Sequence, residues 1–211
     1  MHRNHRLIVK SAAPLVAAVL LTASTGALAH PGHGAHTDGF AGGLAHPFTG
    51  IDHLLVMIGV GVWSAILARR AWPDLLWAPL GFVALLLVGA ALGVAGVRVP
   101  FVEPAIAVSL VAVGLLIATR ARMPAIAAAG VVGTFALFHG LAHGGEFAQS
   151  HAGAGAAIAG MALGTVALHL LGVAFGWSLL RADGRNAPLT RLAGSGVASF
   201  GAFALYGLLV G

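Results

Sequence analysis

Six apolar runs, separated by short polar joints, constrain the fold of this chain more than any other feature. Each run approaches or exceeds the roughly 20 residues that an α-helix needs to cross the hydrocarbon core of a bilayer. Only 8% of the 211 residues are charged, against about a quarter in an average soluble domain. The sequence therefore predicts an all-α, polytopic membrane protein with six transmembrane helices. The runs cover approximately residues 48–68, 75–97, 103–119, 124–145, 155–180 and 192–210.

The N-terminal 29 residues have the features of a secretory signal peptide. A basic start with Arg3, Arg6 and Lys10 precedes an apolar stretch, and Ala-Leu-Ala at 27–29 provides a small-residue cleavage site. The alternative is an uncleaved seventh helix, since the apolar stretch is just long enough to span. We expect cleavage. The predicted divisions are a signal peptide at 1–29, a histidine-containing periplasmic leader at 30–47 and a six-helix transmembrane domain at 48–211.

The arginines predict the orientation of the helices. If the mature N-terminus lies outside, Arg98 is the one arginine in an outer joint. Positive residues favour the cytoplasmic side, so we expect a bacterial inner-membrane protein with both termini in the periplasm. The arginines are scattered between apolar runs, so the lipid bilayer and not nucleic acid is the expected partner. The cytoplasmic joints would hold Arg69, Arg70, Arg120, Arg122, Arg181, Arg185 and Arg191.

A first polar motif, H-P-F-T-G-I-D-H over 46–53, opens the first apolar run. Pro47 and Gly50 argue against a regular helix start at His46. Asp52 and His53 then fall in the first turns of a membrane helix, where a charge costs a few kcal/mol unless it is paired or hydrated. Met57 follows His53 by four residues and shares its helix face. Such residues are candidates for a functional site.

A second polar motif, F-H-G-L-A-H-G-G-E over 138–146, closes the fourth run. At 100° per residue, His139, His143 and Glu146 form one stripe on the helix. Imidazole nitrogens with a carboxylate are suited to divalent Ni, Zn, Co or Cu. The chain has no cysteine, which excludes thiolate ligands and disulfides. The motif therefore predicts a transition-metal site with nitrogen and oxygen ligands.

The predicted topology brings both motifs to the outer face, because the first helix runs inward from its motif and the fourth runs outward to its own. Glu103, at the start of the third run, has the same depth. Structural alternatives are an ion pair between Asp52 and His53 and a helix–helix hydrogen bond from His169. The candidate ligands are His46, Asp52, His53, Glu103, His139, His143 and Glu146, with His30, His33, Met57 and His169 as weaker candidates.

At these residues the sequence resembles the HupE/UreJ family of membrane proteins, which are associated with hydrogenase or urease and regarded as nickel permeases. Residues 46–53 fit the family's HPxxGxDH signature, and 138–146 fit its FHGxAHGxE signature. Glu103, with Ile106 and Ser109, resembles a third-helix carboxylate segment, and Leu168-His169 with Gly172 resembles an LHxxG element of the fifth helix. The resemblance extends over essentially the whole mature chain.

The resemblance implies import of Ni²⁺, with Co²⁺ as the alternative ion and no organic cofactor. It also implies a functional link to nickel metallochaperones that supply enzymes such as hydrogenase or urease. The functional residues it implies are His46, Asp52, His53, Glu103, His143 and Glu146.

Two other classes stay open at this point. One is a metal-binding accessory or sensor subunit that transports nothing. The other is a membrane metalloenzyme, but the positions where an HExxH motif carries its base hold Gly140, Leu141 and Ala142. We therefore expect a protein without catalytic residues. Accumulation of metal by cells that express the chain separates a permease from both alternatives.

Overall fold

The computed structural model describes residues 39–68, 74–148, 153–183 and 187–210. All regular structure in these segments is helical, which confirms the predicted all-α fold for this part of the chain. The proposed signal peptide, its cleavage site, His30 and His33 lie outside the described residues. The helices are α1 (Gly39–Ala45), a 3-10 turn (His46–Phe48), α2 (Ile51–Leu67), α3 (Asp74–Val94), α4 (Val102–Ala118), α5 (Ala125–Phe147), α6 (Ala154–Ala182) and α7 (Pro188–Val210).

The described helices provide four or five candidate membrane spans, where the sequence predicts six. By length and apolar composition, α3, α5, α6 and α7 qualify singly. A fifth span results if α1 and its 3-10 turn count with α2 as one broken helix. The helix α4 is apolar but has 17 residues, roughly 26 Å at the rise of an α-helix. It is therefore somewhat shorter than a typical hydrocarbon core.

A sharp bend of 78° separates the segment Gly39–Phe48 from α2. Pro47 has no backbone N–H to continue a helix. Gly50 is extended, with φ −98° and ψ 126°, so the helical ladder restarts at Gly50, whose carbonyl accepts from Leu54. Thr49 closes the bend by donating both its N–H and its hydroxyl to the carbonyl of His46. The bend carries His46 back over the beginning of α2.

The short helix α1 was not expected from the sequence, which suggested a leader up to residue 47. It packs against α6 at backbone distance. A Cβ added to Gly43 would lie 1.9 Å from the carbonyl oxygen of Ala157, and one added to Gly160 would lie 2.1 Å from that of Phe40. The segment that precedes His46 is thus held by the sixth helix, which fixes the position of the imidazole.

The helix α5, which carries the second motif, packs most extensively against α3. Small residues allow the two backbones to touch, as in other membrane helix pairs. A Cβ on Gly89 would lie 2.2 Å from the carbonyl oxygen of Leu137, and one on Gly144 would lie 2.1 Å from that of Ala90. These contacts set both the distance and the rotation of α5 against α3.

Large apolar side chains fall into two groups. Trp63, Phe82 and Met161 are completely buried and belong to the core between the helices. Leu170 and Leu209, by contrast, are more than half exposed. An apolar exterior over an apolar core is the pattern that a bilayer stabilises, because lipid and not water then surrounds the exposed side chains.

The glycine contacts between α3 and α5 lead to a first prediction. Gly89→Ala should destabilise the folded protein by about 1 to 3 kcal/mol, because the new methyl group would have to push the backbone of α5 away. Thermal unfolding in detergent measures the effect. Gly130→Ala on α5 is the matched control, since nothing lies within 4 Å of its added Cβ. Equal unfolding temperatures for the two variants would contradict the packing described here.

Candidate metal centre

The structure brings the two polar motifs into direct contact, as the sequence predicts. His53 comes from the first turn of α2 and His143 from the last two turns of α5, and their Nε2 atoms are 2.6 Å apart. The other nitrogen of His143, Nδ1, lies 2.9 Å from Nε2 of His46. His143 thus stands between two histidines and faces each with a different ring nitrogen.

Asp52 fixes the tautomer of His53. Its Oδ1 accepts hydrogen bonds from the backbone N–H of His53 and from ring Nδ1, each at 2.9 Å. A carboxylate can only accept, so in neutral His53 the hydrogen is on Nδ1 and Nε2 presents a lone pair. A carboxylate that holds the far nitrogen of an imidazole is the usual arrangement behind a metal-binding histidine. The lone pair of His53 points at His143.

Ser109 fixes the tautomer of His139, which is completely buried. The Ser109 hydroxyl donates its single hydrogen to the carbonyl of Ile106 at 2.6 Å. Its oxygen must therefore accept from Nε2 of His139, which is 3.1 Å away. Neutral His139 is left with a lone pair on Nδ1, and this buried atom has no hydrogen-bond partner among the described residues. An orphan lone pair of this kind is well suited to a cation.

Two sets of three ligand atoms could each hold a metal ion. The inner set comprises His53, His139 and His143, all buried, and the outer set comprises half-buried His46, buried His143 and exposed Glu146. Within each set the three atoms lie within 4.8 Å of one another. The two sets share His143, whose Nδ1 faces the outer set and whose Nε2 faces the inner one.

The short contacts between imidazole nitrogens limit how many hydrogens the cluster can hold. Only one hydrogen fits between His53 Nε2 and His143 Nε2, and only one between His143 Nδ1 and His46 Nε2. A cation that binds between these nitrogens takes the place of a hydrogen, so binding should release protons. Glu146 is close enough to share the positive charge, with Oε2 at 3.5 Å from His143 Nδ1 and 3.9 Å from His46 Nε2.

Four predicted residues belong to neither set. Asp52 is one of them, and it contacts His53 of the inner set. Glu103 is half-buried at the start of α4, on the helix that supplies Ser109, and belongs to neither set. Met57 is buried one turn beyond His53, and its sulfur accepts a hydrogen bond from Thr165 at 3.5 Å. His169 is buried on α6 and contacts Phe82.

The sequence did not reveal that Ser109 is the partner of His139. One available signal was that Ser109 is the sole polar residue between Ile106 and Ala118. A lone hydroxyl in an apolar helix commonly bonds its own backbone, so the signal does not by itself identify a histidine partner. The position of Phe82, with its ring beside both His139 and His169, had no signal of its own among the many apolar residues of α3.

Apolar helices that surround a cluster of histidines make this chain a helical membrane protein with a buried polar cluster. A family model described as HupE / UreJ protein matches residues 17–204. The Protein HupE of Rhizobium leguminosarum bv. viciae is 41% identical over 181 residues, which cover 85% of this chain and 91% of that relative. No solved structure matches the chain. The chain belongs to the HupE/UreJ family of hydrogenase and urease accessory membrane proteins, which confirms the resemblance seen in its motifs.

Gly50 provides a test of this geometry. A methyl group at this position would lie 2.7 Å from Oδ1 of Asp52 and 2.8 Å from Nδ1 of His53. Because the backbone angles suit alanine, Gly50→Ala should leave the helices intact but force the carboxylate and the imidazole apart. We expect metal affinity to fall by about 10- to 100-fold, the usual effect of disturbing a residue that orients a ligand.

Titration of the purified variant with Ni²⁺ measures the affinity, and circular dichroism checks the helix content. Gly145→Ala is the matched control near the same site, since nothing lies within 4 Å of its added Cβ. Unchanged nickel affinity in Gly50→Ala would show that the contact between Asp52 and His53 does not support metal binding.

Proposed function

We propose that this protein is a permease that imports Ni²⁺ across the bacterial inner membrane to supply nickel enzymes such as hydrogenase or urease. The observation that carries the proposal is the pair of ligand sets that share His143, one reaching solvent through Glu146 and the other enclosed by helices. A site that only stores a metal needs one set of ligands. Two adjoining sets, one exposed and one buried, are what stepwise entry requires.

Capture begins at the exposed set. The carboxylate of Glu146 is about half exposed, and together with Asp52 it gives this end of the bundle a negative potential that draws cations in. The imidazoles of His46 and His143 then replace part of the hydration shell of the ion. Nitrogen and oxygen ligands of this kind suit nickel and cobalt, and the choice of nickel rests on family membership.

Transfer to the buried set follows through His143. The ion leaves Nδ1 of His143, which takes up a hydrogen, and binds Nε2 of the same ring, which gives up its own hydrogen. It also gains the lone pairs of His53 and His139, which Asp52 and Ser109 hold in place. Three protein ligands leave part of the coordination sphere to water. This suits a transported ion, because conduction requires binding weak enough for release.

The proposed membrane arrangement has six transmembrane helices, a cleaved signal peptide and periplasmic termini. In it the bent pair of α1 and α2 forms the first span, and α4 forms a short third span. The arginines near the α4–α5 joint then lie in the cytoplasm, at the opposite end of α5 from Glu146. Nickel metallochaperones that remove the ion from this side are the partners that this arrangement would use.

Uptake of radioactive nickel by a nickel-starved host tests the proposal. Asp52→Asn and His53→Ala should each abolish uptake while the protein still reaches the membrane. His53→Ala removes the lone pair at Nε2, and Asp52→Asn removes the carboxylate that orients the imidazole. Asp74→Asn is the matched control, since Asp74 also lies in the first turn of its helix. Near-normal uptake by both site variants at equal expression would refute the assignment. Nickel binding without accumulation by the wild type would favour an accessory or sensor subunit.

A further inference from the structure

His169 is a buried imidazole whose two nitrogens both lack a hydrogen-bond partner among the described residues. It is 1% exposed, in the interior of α6. A buried polar group without a hydrogen bond destabilises a folded protein. The sequence left open a structural role for His169, in which its ring forms a hydrogen bond to another helix. Among the described residues His169 forms no such bond. An imidazole kept in an apolar interior at such a cost is a candidate for a functional role.

The ring of Phe82 contacts both this imidazole and His139 of the cluster. Its centroid is 5.9 Å from that of His139 and 5.1 Å from that of His169, with the second pair edge to face. Phe82 is completely buried on α3. His139, whose Nδ1 has no hydrogen-bond partner among the described residues, and His169 thus pack against the same aromatic side chain.

Other polar atoms accompany His169 in the same region. Thr165 lies one turn earlier on α6, is completely buried, and donates to the sulfur of Met57. Met57 in turn lies one turn beyond His53 on α2. Met57 is thus one helical turn, about 5.4 Å, from His53 on α2, and His169 is one turn from Thr165 on α6.

We propose that His169 is an inner relay site for the divalent transition metal that the cluster captures, and that the Phe82 ring is the barrier between the two sites. The inference deepens the proposed function and rests on it. A neutral imidazole with a free lone pair accepts the ion from His139 after the phenyl ring moves aside. A site with one protein nitrogen binds more weakly than the cluster, so the ion continues inward and does not accumulate there.

The first test compares binding with transport. His169→Leu should lower the initial rate of ⁶³Ni²⁺ uptake by about tenfold or more, the scale on which changes at metal sites reduce activity. Equilibrium binding of Ni²⁺ to the purified protein should stay within about twofold, because the cluster is intact. The thermal stability should be equal or higher, since the change removes two unsatisfied buried atoms. His143→Ala, in contrast, should impair both binding and uptake.

A second test covers the case in which His169→Leu fails to fold. The chain has no cysteine, so His169→Cys places a single thiol at the proposed site. Because Cd²⁺ prefers sulfur ligands to imidazole, it should block nickel uptake by this variant at about tenfold lower concentration than in the wild type. Met161→Cys, buried two turns earlier on α6, is the matched control and should show the cadmium sensitivity of the wild type.

The outcomes separate the two proposals. Nickel uptake by His169→Leu at the wild-type rate, or equal cadmium sensitivity of His169→Cys and Met161→Cys, would overturn the relay while leaving the permease intact. Loss of His169→Leu from the membrane with unchanged uptake per molecule would also overturn it, since the residue would then be a packing residue. A wild type that accumulates no nickel would overturn both.

Discussion

The contact between His53 and His143 is the interaction on which the rest of the structure depends. It joins α2 to α5, and it joins a motif near the start of the described chain to one 90 residues later. Two imidazole nitrogens at 2.6 Å are tolerated only if one carries a hydrogen or if both face a cation. The surrounding residues act on this contact: Asp52 orients one ring, His46 and Glu146 approach the other, and Ser109 turns His139 towards the same space.

The helices supply the rigidity that this contact requires. Glycines of α3 and α5 bring the two backbones together, and Gly43 and Gly160 do the same for α1 and α6. Packing of this kind does not depend on the hydrophobic effect, which is absent between helices in lipid. Because the core and the exterior are both largely apolar, the buried histidine cluster is the feature that distinguishes the interior of the bundle from its exterior.

Much of the fold and of the cluster could be predicted from the sequence. Hydropathy located the helices, and the topology of alternating spans placed the motifs of 46–53 and 138–146 at the same end. Hydropathy alone does not establish the count of six spans. The bend at Pro47 and Gly50 shortens α2 to 17 residues, and α4 also has 17 residues. The structure therefore provides four or five candidates.

The finer geometry could not be predicted, because it depends on how each helix is rotated about its axis. Ser109 of α4 meets His139 of α5, and Phe82 of α3 meets His169 of α6. Each contact requires one particular rotation of its two helices, which hydropathy does not specify. Glu103 shows the converse. Its depth along α4 was predictable, but depth alone does not bring a carboxylate into a set of ligands, and it belongs to neither of the two sets.

The most direct test of the central claim is the X-ray absorption spectrum of the purified protein loaded with one equivalent of Ni²⁺. We expect nitrogen and oxygen neighbours only, with the outer-shell scattering of at least two imidazoles, and a loss of that scattering in His143→Ala. Imidazole scattering is specific, because the chain has no cysteine and its other ligand atoms are oxygens and thioethers. A spectrum of fully hydrated nickel, or one dominated by sulfur, would contradict the assignment of this cluster as the metal centre.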